Sequence, residues 1–153
     1  MKLLAAVAVI LLCLSFALSA PAQTVQTDWV RGTDFSRFHN FTWATGQFPI
    51  QDAEADLKMA DAIQAQLQAK GINYVGPNQR FDCFVTYNLV INPDPQNTGG
   101  QIITVALRFF DARNNTVVWR AGSYVPLVPN NLPENRKNVK AVIAKMFAQF
   151  PPS

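Results

Sequence analysis

Histidine and cysteine are the side chains with which a small domain most readily does acid–base or nucleophilic chemistry. This 153-residue chain has one histidine, His39, and two cysteines, Cys13 and Cys83. A Cys83–His39 nucleophile pair is the sharpest enzymatic arrangement the sequence allows. Against it, Cys83 falls on the apolar side of an alternating segment, where a cysteine usually behaves as an inert small hydrophobe. His39, between Phe38 and Asn40, reads more simply as an exposed or hydrogen-bonded residue of a turn or edge strand. A lone histidine also excludes a His-rich metal site. The carboxylates Asp52, Glu54 and Asp56 are close enough in sequence for hydrolytic acid–base work, but acids at a helix start are explained by the helix dipole. Asn92, Asp94, Gln96 and Asn97 offer oxygens to calcium, yet Pro93 and Pro95 interrupt them and no glutamate closes the loop. No metal or cofactor is expected.

A different chemistry comes from basic residues on a strand face. A turn at Arg113-Asn114-Asn115 that places Phe109 opposite Trp119 in a core also places Arg108 opposite Arg120 on the solvent side. Like charges facing each other cost stability unless an anion or an acid offsets them. The ligand-binding candidates are therefore Arg108 and Arg120, with Phe84 as a neighbouring aromatic face. They would form a shallow site for an acidic glycan, a phosphate or a partner carboxylate. The plainer alternative is that Asp82 or Asp111 neutralises the arginines, or that both splay into water. Trp119 and Trp43 follow the core alternation, which leaves Trp29 as the tryptophan expected to be exposed. Arg136, Lys137, Lys140 and Lys145 form the solvated side of the last helix.

The elements that must position these residues are legible from periodicity. Thr24 to Arg31 reads as extended, and Gly32-Thr33-Asp34 turns it into a second short strand at about Asn40–Ala44, an opening hairpin. Glu54 to Lys70 places Leu57, Ala60, Ile63 and Leu67 at helical spacing and stops at Gly71. Phe81 to Ile91 alternates, with Cys83, Val85, Tyr87, Leu89 and Ile91 on one face and Phe84, Thr86, Asn88 and Val90 on the other. The Pro- and Gly-rich stretch Asn92–Gly100 is a long turn. Ile103, Val105, Leu107 and Phe109 repeat the alternation, and Val117, Trp119 and Ala121 continue it after a turn in which Asn115 tolerates a left-handed backbone. Glu134 to Gln149 closes the chain as a helix with Val139, Val142, Ile143, Met146, Phe147 and then Phe150 as its stripe. The expected fold is α+β: an antiparallel sheet, made of a short N-terminal hairpin and a three-stranded meander, with two helices packed on one face.

The first twenty-two residues carry the clearest address. Lys2 precedes an apolar run from Leu3 to Leu18 and the small-residue ending Ala20-Pro21-Ala22, the pattern of a secretory signal peptide cut between Ala22 and Gln23. Two rival readings are an uncleaved anchor, since the run nears the ~20 residues that span a bilayer, and a lipoprotein signal at Cys13. Leu12 is too large for the position before a lipidated cysteine, and the small-residue ending favours cleavage. Residues 1–22 are then signal and 23–153 one domain, periplasmic or secreted, with no stable membrane span after cleavage. Cys83 is left as the sole mature cysteine, so the fold rests on its core without an internal disulfide, a usage more typical of a bacterial envelope than of an animal fluid. The sequons at Asn40 and Asn114 are coincidental in such a setting. The whole chain is 49% hydrophobic and 15% charged, ample for a core. Its formal charge of +3, one unit of which is Lys2, is too small and too evenly spread to argue for nucleic acid.

The segment Asp34-Phe35-Ser36-Arg37-Phe38-His39-Asn40-Phe41-Thr42-Trp43, the strand Phe81 to Tyr87, the stretch Val117-Val118-Trp119-Arg120-Ala121-Gly122 and the ending Phe150-Pro151-Pro152 together resemble domain-of-unknown-function family 4136. The resemblance spans nearly the whole mature chain. It implies a bacterial envelope protein, often a lipoprotein, and brings no activity or catalytic residues with it; Leu12-Cys13 departs from the lipoprotein pattern. The expectation that follows is an exported, non-enzymatic binding or accessory module whose partner is another envelope protein or an anionic envelope component. The alternatives are a small periplasmic hydrolase using His39 with a carboxylate or Cys83, and a carrier of an apolar ligand held between sheet and helices.

Overall fold

The computed structural model describes residues 24–44 and 57–151. Within them the chain forms β1 (Gln26–Trp29), β2 (Asn40–Trp43), α1 (Met59–Ala69), β3 (Asn73–Tyr74), β4 (Cys83–Pro93), β5 (Gln101–Asp111), β6 (Thr116–Pro126) and α2 (Leu132–Ala148), with one 3-10 turn at Phe35–Arg37. The six strands make a single mixed sheet in the order β1-β6-β5-β4-β2-β3. The α+β class and the β4-β5-β6 meander are as the alternation implies. The opening hairpin is not: β1 pairs antiparallel with β6, whereas β2 lies parallel to both β3 and β4 near the opposite edge.

The chain between β1 and β2 crosses the end of the sheet. Gly32 turns at φ 79°, a backbone state that costs glycine little, and Asp34 caps the 3-10 turn by accepting the Ser36 N–H. The crossing is driven by aromatic burial. Phe38 sits 5.2 Å from the Phe109 ring and Phe35 sits 5.4 Å from Phe150, both edge-on. β2 is then fixed at its start by Asp82, whose carboxylate accepts the backbone N–H groups of His39 and Asn40, each at 3.0 Å.

Of the expected α1 stripe, Leu57, Ile63 and Leu67 are buried as the spacing implies, and Met59 joins them. Lys58 adopts a left-handed backbone and breaks the helix just ahead of Met59, so Met59, Ile63 and Leu67 are its buried positions while Ala60 is only half-buried. Glu54, and with it Asp52 and Asp56, lies outside the described residues. The helix closes with the Gly71 N–H on the Gln68 carbonyl and the Ile72 N–H on that of Leu67, a Schellman closure for which Gly71 supplies the positive φ. α2 follows its stripe: Val139, Val142, Ile143, Met146 and Phe147 are buried, with Phe150 just beyond. Asn131 caps its start, and buried Asn135 exchanges two 2.9 Å hydrogen bonds with the Val128 backbone, tying the helix to the chain leaving β6.

Both helices cover the face that carries Cys83, Val85, Ile103, Val105, Leu107, Phe109, Trp119, Ala121 and Val125. Trp29, expected to be exposed, is half-buried against this core, in register with Trp119. Between β5 and β6 the connecting loop is one residue longer than read, and a bulge at Val118 restores the register. Phe109↔Trp119 and Arg108↔Arg120 are therefore paired as expected, while Val117 faces outward opposite Phe110 and Val118 is the valine that is buried.

Candidate functional site

The other face of the sheet has no helix on it among the described residues. Strand alternation sends one side chain in two to this face, and pairing arranges them in rows across the strands. One row reads Thr86, Arg108, Arg120 and Asp28 on β4, β5, β6 and β1. The next toward the hairpin end reads Asn88, Ala106, Gly122 and Gln26. The small side chains Ala106 and Gly122 leave a shallow depression of about 560 Å³ beside the two arginines. A second, of about 240 Å³, adjoins it on the β4 side, and Arg108 borders both.

The two arginines are not equivalent. Arg120 donates from Nε at 2.9 Å and from Nη2 at 2.5 Å to Oδ2 of Asp28, an exposed pair. The acid is thus neither Asp82 nor Asp111. Asp82 caps β2, and Asp111 is buried on the helix-covered side at the far end of β5. Arg108 has no hydrogen-bond or ion-pair partner among the described residues, although Arg120 stands directly opposite. Phe84, the third candidate, lies one step along the sheet. Its ring stacks on Phe110 at 4.5 Å and 11°, so the aromatic surface there is shared by a pair of rings. Thr86, not Phe84, is the residue across from Arg108.

The thiol and the imidazole are not brought together for catalysis. Cys83 is fully buried on the core face, and its Sγ–H donates to the Asn40 carbonyl at 3.4 Å. Burial, reinforced by the Asp82 charge, pushes the thiol far above its ordinary range, so it stays protonated. His39 is exposed, and its backbone rather than its ring meets Asp82. The calcium-like loop is self-satisfied: Asp94 accepts the Gln96 N–H at 2.9 Å, and Asn92 donates to Thr104. No cluster of three or more metal-ligating side chains occurs among the described residues.

A second group of charges, not singled out in the sequence, gathers where the β5–β6 loop meets the chain after β1. Buried Asp111 accepts from Arg37 Nη2 on one oxygen and from the Arg113 backbone N–H, at 3.0 Å, on the other. Burial pushes this carboxyl up, but the Arg113 N–H and the Arg37 and Arg113 guanidiniums outweigh it and hold it below the ordinary aspartate range. Arg37 and Arg31 lie over the rings of Phe38 and Trp29, at 4.3 and 4.8 Å. No pattern in the sequence marks this group: Arg31 closes a segment that reads as extended, and of the three arginines only Arg113 falls in a segment that reads as a turn.

The chain belongs to the family described as domain of unknown function (DUF4136), whose profile matches residues 25–152. No curated protein matches it. Among solved structures, it is similar to a PDZ domain protein from Parabacteroides distasonis, with a TM-score of 0.64 and 15% identity. That match covers 86% of this chain and only 36% of the other, so the chain spans about a third of that protein. It is also similar to the PelC dodecamer from Paraburkholderia phytofirmans, with a TM-score of 0.54 and 16% identity, covering 82% of this chain and 96% of PelC. At these identities the likeness is one of fold.

Proposed function

We propose that the mature chain is a non-enzymatic binding or accessory module of the bacterial cell envelope that meets another envelope protein or an anionic envelope component with the open face of its sheet. The observation that carries this reading is Arg108: an exposed cation at the centre of the uncovered face, facing a second arginine that Asp28 already neutralises. A carboxylate or phosphate arriving there relieves a like-charge contact and meets a guanidinium with free donors, while the depressions beside Ala106 and Gly122 admit the group that bears it. Export rests on the signal-like residues 1–22, with the mature chain 23–153 acting as one domain. No helix among the described residues is long and apolar enough to cross a membrane.

Two of the alternatives, the Cys83 version of the hydrolase and the apolar carrier, lack the geometry they need. A Cys–His hydrolase requires a reactive thiolate next to the imidazole, and Cys83 is buried and protonated while His39 is exposed. A carrier of apolar ligands requires space between sheet and helices. That space is filled by residues such as Trp119, Phe109, Phe147 and Met59, each about 1% exposed or less.

The test is crosslinking and pull-down from intact envelope with the wild-type chain, an Arg108→Glu/Arg120→Glu double variant and Arg80→Glu as a loop control. Loss of the captured partner in the double variant alone supports the reading. An unchanged set of partners overturns it.

A further inference from the structure

We infer that a second site, at the end of the sheet away from the Arg108 row, binds a phosphoryl group. A cleft of about 410 Å³ opens there between the loop after β1 and the β5–β6 loop. Three arginines line it from three separate segments: Arg31 from the turn after β1, Arg37 from the 3-10 turn and Arg113 from the β5–β6 loop. Two carboxylates share the cleft, Asp34 and Asp111. Asp34 is held ionised by the hydroxyl and backbone N–H of Ser36, helped by the Arg37 and Arg113 charges. Three guanidiniums against two carboxylates leave one positive charge uncompensated.

The placement of that surplus is specific. Asp111 engages Arg37 and Arg113, whereas Arg31 has no carboxylate partner among the described residues and is kept in place by the Trp29 ring beneath it. Each guanidinium has five N–H donors, and one buried carboxylate satisfies only part of the ten that Arg37 and Arg113 carry. Asn114, whose carboxamide oxygen accepts from the Thr116 N–H and hydroxyl, retains its NH₂ as a further donor on the rim. Donors supplied by three separate segments around one cleft suit a tetrahedral oxyanion with several acceptor oxygens better than a planar carboxylate, which one arginine fork can satisfy. Stacking of Arg31 on Trp29 and of Arg37 on Phe38 restrains two of the guanidiniums before any ligand arrives, which lowers the ordering cost of binding. The group bound would be a free phosphate monoester or the phosphate of a lipid headgroup.

This site is independent of the Arg108 reading, and its test keeps the two apart. Backbone amide shifts of the full mature chain are followed while inorganic phosphate is titrated at constant ionic strength, for wild type, Arg31→Gln, Arg31→Gln/Arg113→Gln and Arg108→Gln. Arg37 is left intact because its guanidinium is the half-buried partner of Asp111, whereas the exposed Arg113 side chain can be changed while its backbone N–H still donates to Asp111. Saturable shifts at Gly32, Thr33, Asn114 and Thr116 are expected in the wild type and in Arg108→Gln. Arg31→Gln should weaken them on the order of ten-fold and the double variant should abolish them, with the melting temperature unchanged in Arg31→Gln. A second arm compares sedimentation with phosphatidylglycerol and phosphatidylcholine vesicles: Arg31-dependent binding to the former identifies a headgroup source, and its absence alongside saturable phosphate binding identifies a soluble ester. The absence of shifts at these four residues, shifts there that do not saturate, or shifts there that survive in the double variant overturn the proposal, whereas shifts along the Arg108 row that vanish in Arg108→Gln report the other site.

Discussion

The two faces of the sheet are built from the same three long strands, yet they solve opposite problems. On the covered face large side chains such as Phe109, Trp119 and Phe147 pack against one another, and the one buried acid among the described residues, Asp111, is held by two arginines. On the open face Arg120 has its acid and Arg108, directly opposite, has none among the described residues. The contrast separates what folding requires from what it leaves over. An unpaired charge on the covered face would be expelled by desolvation, while on the open face water tolerates it at small cost. Residues free of folding duty are the ones available for recognition.

The contrast can be broken or sharpened by substitution. The largest effect is expected in thiol labelling: Cys83 should react with a water-soluble thiol reagent on the order of 10³-fold more slowly than in urea-unfolded chain, because it is reached only through opening of the core. Fast native labelling would revive a nucleophilic Cys83. Next, Phe109→Ala, which empties the contact with Phe38 and Phe150, should cost about 3–5 kcal/mol by urea denaturation. Asp111→Asn should cost less, about 1.5–3 kcal/mol, the range for hydrogen bonds to a charged group. Its pH dependence has a definite sign. The folded carboxyl is depressed, so its stabilisation is present above the unfolded value of about 3.9 and is lost as pH falls through the lower folded value. The gap between wild type and Asp111→Asn in urea titrations should therefore close below about pH 4. Smallest of all, Arg108→Thr should change stability by no more than about 0.5 kcal/mol and toward greater stability, most visibly at low salt, since it removes one of two facing cations. A clear loss would mean that Arg108 serves the fold.

The sequence carried the meander further than its own premises warranted. Arg108 and Arg120 face each other as read, but through two compensating departures: a longer loop after Asp111 and a bulge at Val118. Neither is visible in a period-two pattern, and Val117 changed faces because of them. The partner of Arg120 was missed for a topological reason. Gly32-Thr33-Asp34 looked like a hairpin turn, whereas burial of Phe35 and Phe38 drives the chain across the sheet end and leaves β1 beside β6, where Asp28 meets Arg120. Pairing between residues some ninety positions apart leaves no local trace. The left-handed break at Lys58 is likewise hidden, since lysine is an ordinary helix former; the stripe positions Leu57, Ile63 and Leu67 are buried as the spacing implies, and Met59 takes the place expected for Ala60. The Arg31, Arg37 and Arg113 cluster depends on the same crossing and was illegible for the same reason.

The central proposal is that the envelope partner meets the open face. It is tested most directly by placing a photo-crosslinking residue at Asn88, next to the Arg108 row, or at exposed Lys140 on α2, and irradiating intact cells. Adducts from position 88 that vanish on adding Arg108→Glu, with none from position 140, are the predicted result. Adducts from position 140 alone, or adducts at 88 indifferent to Arg108→Glu, would contradict it.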